Sequence, residues 1–244
     1  MNLNAEFDQR AVVHADASDW VASPVAGVSR KMLDRVGGEV ARATSIVRYA
    51  PGSRFSRHRH GGGEEFLVLD GVFQDEHGDY PAGAYLRNPP HSSHAPGAAA
   101  GCTILVKLWQ FDADDRRPLR LNAADVALQT IASRRGVRVQ PLFVDMQENV
   151  RIETWAAGAR ISYVPTGGIE LFVLDGSIEA SVSPDPAGAG STGIERLRLW
   201  SWLRLPSGAL LEATAGPAGA RLWIKEGRLT PDIIARSLAA LEIA

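Results

Sequence analysis

The amino-acid sequence predicts an all-β protein, two tandem small β-barrels closed by a short C-terminal helix. Three observations carry that expectation. Short runs of strand formers are separated by Gly, Pro and Asp turns, the pattern of sandwiches and barrels. The heptapeptide Glu65-Phe66-Leu67-Val68-Leu69-Asp70-Gly71 returns 105 residues later as Glu170-Leu171-Phe172-Val173-Leu174-Asp175-Gly176, so one scaffold is written twice. Near the C-terminus the apolar spacing becomes helical.

The elements follow in order. Ala41 to Tyr49 ends in strong strand formers, and Pro51-Gly52 turns the chain. Phe55 to His60 reads as a second strand, and Glu65 to Leu69 as a third that Asp70-Gly71 closes. Val72 to Glu76 and Tyr80 flank a His77-Gly78 turn, the signature of a hairpin. Cys102 to Phe111 is the last long strand of this half, with Ile104, Val106 and Leu108 on its buried face. The repeat extends upstream: Tyr49-Ala50-Pro51-Gly52-Ser53-Arg54-Phe55 matches Trp155-Ala156-Ala157-Gly158-Ala159-Arg160-Ile161 at an offset of 106, one residue out of step with the first block. The expected division is a first barrel over residues 1–115, a linker over 116–139, a degenerate second barrel over 140–228 and a helix over 229–244. Ser183 to Gly193, rich in Gly and Pro, is expected to be an exposed, mobile loop. Thr230-Pro231-Asp232 supplies a helix cap, a first-turn proline and a first-turn acid. The stripe of Ile233, Ile234, Leu238 and Leu241 is expected to pack within the chain or against a second copy in a homodimer.

Composition excludes several classes. The 26 basic and 28 acidic residues of this 244-residue chain give a formal charge of -2, and no basic stripe marks a nucleic-acid partner. Arg116-Arg117 and Arg134-Arg135 read as solvated loop charges. The single cysteine, Cys102, excludes an internal disulfide and a four-thiolate zinc cluster; its apolar surroundings make it a small core residue. The N-terminal residues lack a basic segment followed by an apolar one, and no run approaches the ~20 apolar residues of a membrane helix. The expectation is a cytoplasmic protein with no membrane partner.

The chemistry concentrates in one stretch. Five of the six histidines fall between His58 and His94. The spacing reads Gly52-x5-His58-x-His60-x3-Glu64-x6-Gly71, then Gly83-x5-Pro89-x4-His94. Two histidines two apart on a strand share a face, the glycines at 61 to 63 allow a sharp bend that turns Glu64 toward it, and His94 arrives from a separate segment. Three imidazoles and a carboxylate suit one divalent transition metal, with zinc or iron foremost and manganese or nickel also compatible. His91, in a tight turn, is expected to face outward, His77 to be solvent-exposed, and His14 to take no chemical part. Ser92-Ser93 beside His94 has no matching acid, which argues against a hydrolase.

These two stretches resemble the paired motifs of the cupin superfamily. The text Arg57-His58-Arg59-His60-Gly61-Gly62-Gly63-Glu64-Glu65-Phe66-Leu67-Val68-Leu69-Asp70-Gly71, with Asp75 to Gly83 and Arg87-Asn88-Pro89-Pro90, is similar to the ChrR-like cupin branch. The resemblance implies a small antiparallel barrel with a metal held by His58, His60, Glu64 and His94. The chain departs from the family at His91, where Gly is usual, and at Ala98, where Asn is frequent. ChrR-type anti-sigma factors also carry a zinc module with a His-x3-Cys-x2-Cys pattern, which a chain with one cysteine cannot supply, so sigma-factor binding is not expected.

The repeat serves as a control. It keeps Glu65 as Glu170 but replaces Glu64 by Ile169, which assigns Glu65 to structure and Glu64 to the metal. Counting back from Gly176 puts Tyr163 and Pro165 at the histidine pair; counting forward from Gly158 puts Val164 and Thr166 there. The distant histidine falls at Leu211, so the second barrel is expected to bind no metal in this way. Two functions remain open. One is a non-haem metal-dependent dioxygenase acting on a small diketone or hydroxyketone, as the resemblance to acetylacetone-cleaving cupins implies. The other is a non-catalytic zinc-binding cupin serving as a sensor or regulatory, anti-sigma-related module.

Overall fold

The computed structural model describes residues 1–38, 40–182 and 193–242. Apart from Gly193, the segment expected to be a mobile loop lies outside them. The fold is all-β, two antiparallel β-barrels with one C-terminal helix, Pro231–Glu242. The chain divides into two compact units: residues 1–5, 18–125 and the segment from 235 onward, then residues 6–17 and 126–234.

In the first unit the strands Val28–Gly37, Ala41–Tyr49, Cys102–Leu108, Glu64–Asp75, Ala84–Asn88 and Leu119–Asn122 lie side by side. Phe66, Val68, Phe73, Leu86, Ile104 and Val106 fill the interior, with buried Cys102 among them. Burial pushes the Cys102 thiol up to about 12, with Asp70 adding to the effect, so it stays an unreactive core residue. The strand expected to end at Asp70-Gly71 runs on to Asp75. Gly71 sits at φ 71°, and a Cβ there would lie 2.2 Å from the Gly101 carbonyl oxygen. The glycine permits a close backbone approach beside a bulge rather than a turn.

Phe55 to His60, expected as one strand, keeps only the short strand His58–Arg59, and a separate short strand, Ser53–Arg54, precedes it. Ser53–Arg54 pairs with Gly97–Ala98 and His58–Arg59 pairs with Ser93–His94. Pro96 lies between the two partner segments and has no N–H to continue the ladder. Cys102–Leu108 buries both faces, since Thr103 and Lys107 are as enclosed as Ile104; the Lys107 ammonium donates to Thr44 Oγ1 at 2.7 Å.

In the second unit the order is Gln129–Thr130, Val137–Val144, Glu148–Trp155, Leu211–Gly227, Ile169–Val182, Ser201–Leu205 and Ala11–His14. The last of these lies within the segment expected to belong to the first barrel. It covers the open edge of Ser201–Leu205, which would otherwise present unpaired backbone groups. His14 fastens it, with Nδ1 3.0 Å from Ser201 Oγ and Nε2 3.0 Å from Glu195 Oε1. The expected linker is also ordered: Leu119–Asn122 pairs with Ala84–Asn88, and Gln129–Thr130 with Val137–Val144.

Candidate metal centre

The two-stranded ladder of His58–Arg59 and Ser93–His94 builds the site. His58 stands directly opposite His94, so their side chains leave the same face. His60 extends the pairing: its N–H donates to Ser92 O at 2.9 Å, and its carbonyl accepts from the His91 N–H at 2.7 Å. Two-residue periodicity then places His60 beside His58. The ring centroids are 5.0 Å apart for His58 and His60, 5.1 Å for His58 and His94, and 4.7 Å for His60 and His94. Each ring offers a nitrogen within 4.8 Å of those of the other two. His60 and His94 are buried and His58 is exposed.

Glu64 opens the long strand beyond the glycine run. Its Oε2 lies 3.6 Å from His60 Nε2 and 3.5 Å from His94 Nε2, and accepts from Asn88 Nδ2 at 3.1 Å. Gly63 takes φ 79° and provides the expected bend. The glycines have a further reason. A Cβ on Gly61 or Gly62 would sit 2.6 or 2.4 Å from the Trp109 ring, and one on Gly63 would sit 2.5 Å from the Phe111 ring. Only bare backbone lets these rings pack so close to the ligand loop.

The electrostatics suit metal ligation. Burial, with the neighbouring His58 adding to it, lowers His60 to about 4. Burial also lowers His94, helped by His60 and His58 and opposed by Glu64 and Asp75. Neutral imidazoles are the form that binds metal. His94 Nδ1 lies 3.3 Å from Asp75 Oδ2, and His58 Nδ1 lies 3.3 Å from Ser56 O, which directs their Nε2 lone pairs inward. His60 Nε2 is buried and, among the described residues, has no hydrogen-bond partner. A buried nitrogen without a partner, flanked by two imidazoles and a carboxylate, fits a divalent transition metal.

Asp75 is the contributor that sequence reasoning missed. Its carboxylate also accepts from the Tyr80 hydroxyl at 3.3 Å and the His77 N–H at 2.8 Å. The bulge beside Gly71 hides it: Phe66 and Val68 face the interior by one parity, and Phe73 and Asp75 by the other. Asn88, which holds Glu64, comes from the neighbouring strand Ala84–Asn88, so the local spacing of the motif does not reveal its role.

The remaining expectations can be placed. His91 is exposed at φ 72° and turns its side chain outward. His77 is half exposed. Ser92 Oγ donates to Pro89 O, and Ser93 Oγ accepts from Arg57, so neither pairs with His94 among the described residues. Beneath the site the walls are apolar and aromatic: Phe73 stacks 5.8 Å from His94, and Tyr49 meets Phe73 edge-on at 5.9 Å. Burial raises the Tyr49 phenol well above its ordinary range, with Glu64 and Cys102 adding, so it remains a neutral O–H.

The second unit settles the register of the repeat. Tyr163 pairs with Leu211 as His58 pairs with His94, which selects the count from Gly176.

A small antiparallel barrel with imidazoles converging inside one end defines a cupin. Residues 8–112 match the ChrR Cupin-like domain. No curated protein is significantly similar in sequence. Among solved structures, a candidate glyoxylate-induced protein from Pseudomonas aeruginosa is similar at TM-score 0.69 and 14% identity, over 91% of this chain and 90% of that one. A candidate dioxygenase from Nostoc punctiforme is similar at TM-score 0.67 and 13% identity, over 91% and 83%. Streptomyces albus HEPD, solved with 2-hydroxyethylphosphonate and Fe(II), is similar at TM-score 0.66 and 10% identity, over 98% and 81%. At these identities the likeness establishes the fold alone. Among the described residues no helix is long and apolar enough to cross a membrane.

Proposed function

We propose that the first barrel holds one divalent transition metal through His58, His60, His94 and Glu64, and that the chain is a metal-dependent dioxygenase acting on a small diketone or hydroxyketone. The observation that carries this reading is the buried Nε2 of His60, which has no hydrogen-bond partner among the described residues and lies amid converging donors. Iron or zinc suits the donor set, and manganese or nickel is compatible with it; the Fe(II) in the HEPD structure adds support for iron. Bound Fe(II) would supply Lewis acidity and a template for a chelating pair of carbonyl oxygens. The chain's own residues do the rest. Asn88 steadies Glu64, Asp75 orients His94, and exposed His58 marks the side from which a small molecule enters. Phe73 and the Tyr49 ring exclude water below.

The second reading is a non-catalytic zinc module. The nearness of Glu64 Oε2 to two of the imidazole nitrogens favours it, because four protein ligands close a tetrahedral zinc site. Metal analysis of the purified protein, followed by oxygen uptake with Fe(II) and a panel of diketones, separates the two. Oxygen uptake with Fe(II) and loss of one diketone is the expected result. Tight stoichiometric zinc with no oxygen uptake under any metal would overturn the enzyme and leave the zinc module.

A further inference from the structure

In the second unit the place of the metal site is occupied by charge. By strand parity Arg151 and Glu153 share the face of Trp155, Tyr163 that of Ile161, and Glu226 that of Ile224, all core positions. Arg151 Nε donates to Glu153 Oε1 at 2.6 Å, and Arg151 Nη2 donates to Glu226 Oε2 at 3.0 Å. The Tyr163 hydroxyl donates to Glu226 Oε2 at 3.0 Å, and the Trp155 indole N–H donates to Glu153 Oε2 at 2.7 Å. Arg134, expected to be a solvated loop charge, instead grips Glu153 with both terminal nitrogens. The two carboxylates are fully committed. Two buried guanidinium N–H groups, Nε of Arg134 and Nη1 of Arg151, have no partner among the described residues. The cluster holds more donors than acceptors.

A cleft of about 840 Å³ opens on this cluster, and Arg134 and Tyr163 are part of its wall. Exposed Arg135 and Arg160 line it too, with Gly136 and Gly158 leaving room between them. None of its lining residues is acidic. With no acid among the lining residues, Arg135 and Arg160 set two positive charges beside Arg134, whose own charge Glu153 balances, and give the cleft a net positive field. Arginine forks match the oxygens of carboxylate and phosphate.

We propose that the second barrel is a binding site for a small oxyanion, a carboxylate or phosphate group seated between Arg134, Arg135 and Arg160. The barrel that lacks the histidine pair thus carries a ligand site of opposite chemistry. It does not depend on metal in the first barrel.

Calorimetric titration of the full chain at low salt, with sodium succinate and with inorganic phosphate, tests this and tells the two oxyanions apart. Saturable binding of at least one is expected, weakened about tenfold or more in Arg135→Ala/Arg160→Ala. Those side chains are exposed, so the variant should fold normally, checked by its circular dichroism. The same titration on His58→Ala/His60→Ala removes any anion bound at the metal, and binding should persist there. No saturable binding of either anion below roughly 10 mM would overturn the proposal. So would unchanged binding in the arginine variant, or binding lost only in the histidine variant.

Discussion

His58 and Tyr163 occupy the same station in two copies of one scaffold, as do His94 and Leu211. Around them the buried framework is the same. Glu65 lies between Arg87 and Lys107 in the first sheet, and Glu170 lies between Arg204 and Lys225 in the second. In the first copy Glu65 accepts from the Tyr85 hydroxyl at 2.6 Å and from Arg87 at 3.2 Å; in the second, Glu170 accepts from the Trp202 indole at 3.1 Å. Gly176 repeats the close approach of Gly71, with a Cβ 2.2 Å from the Gly219 oxygen. The ligand positions do not repeat. Glu64 becomes Ile169, and Asp75 becomes Ala180, counted at the same offset. The framework holds a barrel; the mouth is free to change chemistry.

The largest test of that separation is His58→Ala/His60→Ala. Metal content of the purified protein should fall from one equivalent to none while the fold persists, because two of the four proposed donors are gone. Undiminished metal would overturn the ligand assignment. The converse experiment strikes the framework. Glu65→Ala takes an acceptor from the buried Tyr85 hydroxyl and from Arg87, and Glu170→Ala takes the acceptor from the buried Trp202 indole; each should cost about 1–3 kcal/mol in urea unfolding. A large loss in one copy and none in the other would break the claim that these residues are equivalent.

A smaller effect is expected from Asp75→Asn. The amide cannot hold His94 Nδ1–H as a carboxylate does, and metal affinity should fall about 10–100-fold with stability nearly kept. Competition against a chelator measures it. An unchanged affinity would reduce Asp75 to a hairpin residue for Tyr80 and His77.

Which parts of this were legible in the sequence follows from the range of each interaction. The candidate donor set was legible because its spacing is local: His58, His60 and Glu64 lie within one loop and strand, and His94 follows a recognisable proline pair. The role of Glu65 was readable because the repeat supplied a control. Its partners were not, since Tyr85 and Arg87 arrive from another strand. Asp75 was obscured by a bulge that reverses strand parity, and strand pairing is not written in the bulged segment itself. Arg134 read as solvent-facing because Glu153, which fixes it, comes from the neighbouring strand Glu148–Trp155. The glycines at 61 to 63 were recognised as a bend, but the rings that demand them, Trp109 and Phe111, lie more than forty residues on.

The finest test lies in the second mouth. Burial alone would raise the Glu153 carboxyl, but Arg151 and Arg134 beside it hold it below its ordinary value. A depressed carboxyl stabilises the fold above its unfolded value of roughly 4.3, and that contribution is lost as the pH falls through the folded value. Arg134→Met removes one of the two cations, so the folded value moves up and the loss begins at higher pH. The acid midpoint should therefore rise, by less than about one pH unit since Arg151 remains. Trp155 donates its indole N–H to this same carboxylate, so tryptophan fluorescence can follow the titration. The first barrel has Val47 at the corresponding place, counted at the upstream offset, and contributes nothing to this shift. An unmoved midpoint would mean that Arg134 does not hold the carboxylate in its charged form, and that the two mouths differ less in charge than their geometry indicates.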